Sequence, residues 1–144
     1  MELRKIANPR PVLAASNLSI FEGVKLMAAH GGDALVITGA DNRVQGIFTE
    51  HDNLVRVTLE DRNTRTTPLA AVMTTPVVTA TPETTVDEAL AMMVRHHFRH
   101  LPILNPQQQI VSIVSARDLL MRRIGEKEAA LQTLEAYVSA GGPG

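Results

Sequence analysis

The chain has 144 residues, 44% of them apolar and 20% charged, which suits a globular domain large enough to bury a core of its own. Its 14 basic and 15 acidic residues leave a net charge of −1, so no cationic excess speaks for nucleic acid. Cysteine is absent, which excludes disulfides and thiolate chemistry, and no apolar run is long enough to span a membrane.

The first residues, MELRKIANPRP, are charged and proline-punctuated and hold no apolar signal core, in keeping with a cytoplasmic location. A short extended piece, RPVLAA (10–15), follows them. Ile20, Val24, Met27 and Ala28 then recur at helical spacing and predict a helix over about 20–30, stopped by Gly31-Gly32. Two β-rich runs, ALVIT (34–38) and RVQGIFT (43–49), flank the turn residues GADN, and a second helix is expected from about 50. The polar stretch LEDRNTRTTP (59–68) reads as a linker. The same succession then recurs. PVVTA (76–80) is extended, and Val86, Leu90, Met93 and Val94 predict a helix over 86–96. HLPIL (100–104) and QIVSIVS (109–115) flank NPQQ, and a helix is expected from about 116. In EKEAALQTLEAYV (126–138), Ala130, Leu131, Leu134 and Val138 gather near one face, which predicts an amphipathic helix docked on the pair or on a partner subunit. The last six residues, SAGGPG, are expected to be flexible.

The recurrence is a sequence repeat. Shifted by 66 residues, 11–57 faces 77–123 without a gap, and 11 of the 47 paired positions are identical, among them Glu22/Glu88, Met27/Met93, Ile47/Ile113, Asp52/Asp118 and Arg56/Arg122. The fold class is therefore α/β, two β-α-β-β-α units that bury one another's sheets. The expected boundaries are repeat one at 1–58, a linker at 59–68, repeat two at 69–124, a C-terminal helix at 125–138 and a tail at 139–144.

All four repeat helices open with a hydroxyl residue followed three positions later by a carboxylate: Ser19/Glu22, Thr49/Asp52, Thr85/Glu88 and Ser115/Asp118. Each has the form of a capping box, which by itself would justify the side chains. Asp is expected to close the box less well than Glu. A helix start that follows directly on a strand also offers free N–H groups to an anion, and a carboxylate there can accept both hydroxyls of a vicinal diol. Phosphate plus diol describes a ribonucleotide.

VMTTPVVTATPETTVDEAL (72–90), FRHLPI (98–103) and SIVSARDLL (112–120), with GIFTEHD (46–52) in the first copy, closely resemble tandem cystathionine-β-synthase (CBS) domains, a Bateman module, over roughly residues 4–123. The resemblance implies two repeats related by a pseudo-twofold axis. It implies a non-catalytic sensor whose two clefts bind adenosine-containing ligands (AMP, ADP, ATP, S-adenosylmethionine or NAD), which forms a homodimer and signals to a regulated protein. It assigns ribose to Asp52 and Asp118 and phosphate to the neighbourhood of Thr49 and Ser115. His51 and Arg117, within the motifs, and Arg99 and His100 are the further phosphate partners. Val78, Ala80, Leu101 and Pro102 would line the first cleft, and Val12, Ala14, Val36 and Ile37 the second. Ser112 stands where the first copy has Gly46 and is expected to crowd the second cleft.

Other chemistry finds little support. His96 and His100 are four apart, a metal-ligand spacing on a helix, but a strand is expected to begin between them. A hydrolase of Ser115, a histidine and Asp118 lacks a G-x-S-x-G elbow, and no G-x-G-x-x-G or Walker A pattern is present. The other reading, from a different class, is a scaffold with empty clefts whose caps are only caps.

Overall fold

The computed structural model describes residues 1–139. In repeat one, β1 (Leu13–Ala14) runs parallel to β2 (Ala34–Thr38), which pairs antiparallel with β3 (Val44–Thr49). Between β1 and β2 lies α1 (Ile20–Ala29), opened by Ser19, whose hydroxyl accepts the Glu22 amide, and burying Ile20 and Met27. β3 leads into a single α-turn, α2 (Glu50–Asp52), which continues as π-helix over Asn53–Thr58.

Repeat two has α3 (Val86–His96) and the antiparallel pair β4 (His100–Leu104) and β5 (Ile110–Ser115). PVVTA forms one parallel bridge, Ala80 to Ile103, in the register that Ala14 keeps with Ile37. Proline explains the missing strand. In repeat one the Val36 amide donates to the Val12 carbonyl at 2.9 Å, and the equivalent of Val36 is Pro102, which has no N–H to give.

The repeats exchange their leading segments. Leu3, in a 3-10 turn at Leu3–Lys5, is fully buried in the core of repeat two with Ala89, Leu101 and Leu119. Leu69, 66 positions later in the turn Leu69–Ala71, is fully buried in the core of repeat one with Ile20, Leu35 and Phe48. The isolated bridges obey the same symmetry: Glu2–Thr85 matches Ser19–Pro68, and Asn8–Ile113 matches Ile47–Thr74. Arg43–Gln109 maps onto itself and marks the pseudo-twofold axis. Packing thus crosses the expected boundaries: residues 69–73, assigned by sequence to repeat two, complete the core of repeat one. A smaller cluster of Val36, Leu104 and Ile110 joins the two sheets.

α4 runs unbroken over Ala116–Ser139, so the separate helix expected at 125–138 is its far half. Residues 124–136 are all exposed, and this half docks on no other described part of the chain. Ser139 closes α4, and the rest of the expected tail, 140–144, lies outside the described residues. No described helix is long and apolar enough to cross a membrane.

Candidate functional site

An open cavity of about 550 Å³ separates the repeats. Repeat one contributes Asp33 and the start of α2, with Thr49, His51 and Asp52; repeat two contributes Val78 and the turn His96–His100. Of the residues expected in the first cleft, Thr49, His51, Asp52, Val78, Arg99 and His100 meet here. Ala80 and Leu101 do not line it, because both side chains are buried in the core of repeat two, and Pro102 is buried within β4. In the second set, Val36 and Ile37 are fully buried and Ala14 nearly so. These apolar side chains are taken up by the packing of the repeats, so in this structure they do not line the cavity. Val12 and Ser115 are partly exposed, and Arg117 and Asp118 are exposed.

The two helix starts differ in what holds the carboxylate. Asp52 is only 6% exposed. Its Oδ2 accepts from the Thr49 amide at 3.0 Å and the Thr49 hydroxyl at 3.2 Å, and its Oδ1 accepts from the Thr74 hydroxyl at 3.0 Å. The Arg56 Nε lies 3.6 Å from the same Oδ1. Asp118 closes its own box, accepting from the Ser115 amide at 3.1 Å while its amide donates to the Ser115 hydroxyl at 3.1 Å. The counterparts of Thr74 and Arg56 are turned elsewhere: Asn8 accepts the Arg10 amide, and Arg122 faces Glu126. Both aspartates thus close the capping box through the cap's own N–H. Glu88 instead accepts the Thr85 hydroxyl at 3.1 Å. The expectation that Asp is the poorer partner is corrected: the shorter side chain meets the amide directly.

At the cavity rim His100 Nε2 lies 2.9 Å from Asp33 Oδ1, a contact that ties one repeat to the other. α3 ends at His96, and His97 takes a left-handed conformation with φ of 59°. His96 and His100 therefore share no helix face. Among the described residues, no group of three or more His, Cys, Asp or Glu is placed to hold a metal ion. Behind the site, a Cβ on Gly46 would stand 2.5 Å from Met73 Sδ, so any larger residue there must displace the Met73 side chain. At the symmetric positions Ser112 pairs with the smaller Ala7, which removes the side chain that would oppose it.

Sequence reasoning missed Asp33 and Thr74. Thr74 sits in a segment assigned to repeat two; the signal that it serves repeat one was the identity of Leu3 and Leu69, 66 apart but outside the paired window.

The CBS domain family model matches residues 3–52 and 69–125, one match for each sequence repeat. The chain belongs to the CBS-domain family. As a CBS pair it is 31% identical over 127 residues to the mitochondrial CBS domain-containing protein CBSX3 of Arabidopsis thaliana, covering 85% of this chain and 61% of that relative. It is similar in structure to a putative signal-transduction protein with CBS domains from Burkholderia ambifaria MC40-6, with a TM-score of 0.77 and 30% identity over 82% of this chain and 85% of that one. The CBS pair of protein MJ0100, solved in complex with 5′-methylthioadenosine and S-adenosyl-L-methionine, has a TM-score of 0.77 at 25% identity, covering 84% of this chain and 98% of that one.

Proposed function

We propose that this CBS pair is a non-catalytic regulatory module that takes an adenosine-containing ligand between its repeats and passes the bound state to a partner protein. The observation that carries the reading is the inter-repeat cavity with the Thr49-x-x-Asp52 helix start on one wall and repeat two on the other. Its volume is that of an ordinary small-molecule site. The MJ0100 complex with two adenosine compounds supports the ligand class, and AMP, ADP, ATP, S-adenosylmethionine and NAD are the candidates.

Each part of such a ligand has a physical counterpart. The Glu50 and Asp52 amides are bonded to the Asp33 carbonyl and the Thr49 hydroxyl, which leaves the His51 amide at the start of α2; with the His51 imidazole and the Arg99 guanidinium it suits phosphate. Val78 offers apolar surface to the base. The ribose diol suits a carboxylate with unused lone pairs, which Asp118 has and Asp52 offers only by yielding its bond to Thr74. A ligand that holds the two walls at one spacing shifts the population of inter-repeat arrangements by its differential affinity for them. The His100–Asp33 contact, which crosses the cavity rim, is the element such a ligand would bias. A homodimer belongs to this reading, as the unit through which a partner senses that shift.

Calorimetric titration of Asp52→Ala and Asp118→Ala with the best adenosine ligand and its 2′-deoxy form tests the assignment. Each substitution is expected to remove binding at its own cleft, and the 2′-deoxy ligand to bind more weakly in the wild type. Unchanged affinity in both variants would take the ligand role from these carboxylates. One observation favours a scaffold reading at the first cleft: both Asp52 oxygens are already bonded within the protein. That reading gains if Asp52→Ala costs stability and leaves every binding isotherm as it was.

A further inference from the structure

Leu119 is the last residue of α4 that the body fully buries. Beyond it Leu120, Ile124, Leu131, Leu134 and Val138 are 51, 50, 55, 59 and 67% exposed. Together with Lys127 they advance along the helix by 4, 3, 4, 3 and 4 residues, the alternation of a and d positions in a coiled-coil heptad. Most helical stability in proteins comes from packing an apolar face, and Gly125 weakens this helix near its middle. An apolar seam that no described part of the chain covers needs a partner.

We propose that the far half of α4 pairs with the same half of a second copy as a parallel, two-stranded coiled coil. The flanks of the seam are self-complementary in that direction only. Arg123 precedes Glu128 by five residues, the offset that brings flanking positions of two parallel helices together, so two Arg–Glu pairs form across the dimer. An antiparallel pair would instead set Glu128 against Glu128. Arg123 is already fixed beside the seam: its guanidinium is bonded to Asp87 on α3, and its Nε has no hydrogen-bond partner among the described residues. Lys127, the one polar residue in the seam, lies next to Glu128 of the second copy in the parallel register, where the opposite charge offsets its burial. A lipid surface is a poorer occupant. The polar face carries Glu126, Glu128 and Glu135 among its basic residues and lacks the Lys/Arg-rich face such helices show.

The proposal specifies the face through which the homodimer forms and stands whether or not a nucleotide binds. Sedimentation velocity on the full chain is expected to give a dimer. The double substitution Leu131→Glu/Leu134→Glu is expected to weaken association at least about 100-fold and to lower the helical circular dichroism by no more than the far half of α4 supplies, while the two repeats keep their cooperative thermal unfolding, since both side chains are solvent-facing in the monomer. The protein has no cysteine, so Leu131→Cys reports direction cleanly: oxidation is expected to join the two copies through that one position. A monomeric wild type, a double variant that stays dimeric, or a Leu131→Cys dimer that fails to cross-link would each overturn the proposal. Ligand-induced thermal shifts, read on the same double variant, keep its failure apart from failure of the nucleotide reading.

Discussion

Asp52 and Asp118 occupy equivalent positions and both close a capping box, yet only Asp52 has its second oxygen bonded within the protein. Removing Asp52 takes the acceptor from the Thr49 amide and the Thr74 hydroxyl, both half-buried on the cavity wall, so the loss combines a cap with two partners left without their carboxylate. Asp52→Ala is therefore expected to cost about 2–4 kcal/mol in urea denaturation. Asp118→Ala, at an exposed helix start, is expected to cost under about 1 kcal/mol. Equal costs would show that the Thr74 bond contributes nothing. The sequence announced both carboxylates through the hydroxyl-x-x-Asp spacing. It did not announce their inequality, because Arg56 and Arg122 are the same residue turned different ways, and Thr74 against Asn8 lies outside the aligned window.

At the scale of elements, the repeat is legible wherever pattern dictates structure. α1, α3 and the two hairpins fall where apolar periodicity and turn residues place them. Departures arise where one substitution changes the backbone. Pro102 in place of Val36 removes a ladder donor and reduces the first strand of repeat two to a bridge. His97 stands where repeat one has Gly31, and both residues adopt φ near 60°, a conformation that costs an L side chain energy and glycine little. His97→Gly is expected to raise stability by about 0.5–1 kcal/mol, read as a higher midpoint in thermal unfolding. A loss of stability would mean that the imidazole holds the turn through contacts that outweigh the strain. The length of α4 was not legible, since a helix interior tolerates Gly125 only at a cost that a continuous apolar seam must offset.

At the scale of the whole molecule, exchanging the leading segments builds each repeat's core partly from the segment that precedes the other repeat. Leu3, at the start of the chain, is part of the core of repeat two, and Leu69 is part of the core of repeat one. Leu3→Ala is expected to cost about 2–5 kcal/mol and to speed hydrogen exchange in α3 and β4, more than 80 residues away in sequence, before it affects β2 and β3. Uniform loss of protection across both repeats would indicate a single indivisible core. Alignment of the copies reveals the 66-residue period. The exchange itself stays hidden, because swapped and unswapped segments occupy equivalent surroundings and ask for the same leucine.

The account turns on whether the cleft takes an adenosine-containing ligand, and thermal unfolding with AMP, ADP, ATP, S-adenosylmethionine and NAD, each at millimolar concentration beside a guanosine counterpart, tests this most directly. A ligand at about 100 times its Kd adds about 2.7 kcal/mol, and each kcal/mol moves the midpoint by about 2–4 °C at this size. The account predicts a rise of several degrees with at least one adenosine ligand and none with its guanosine counterpart. An unchanged midpoint with all five would contradict it and leave the helix starts as caps alone.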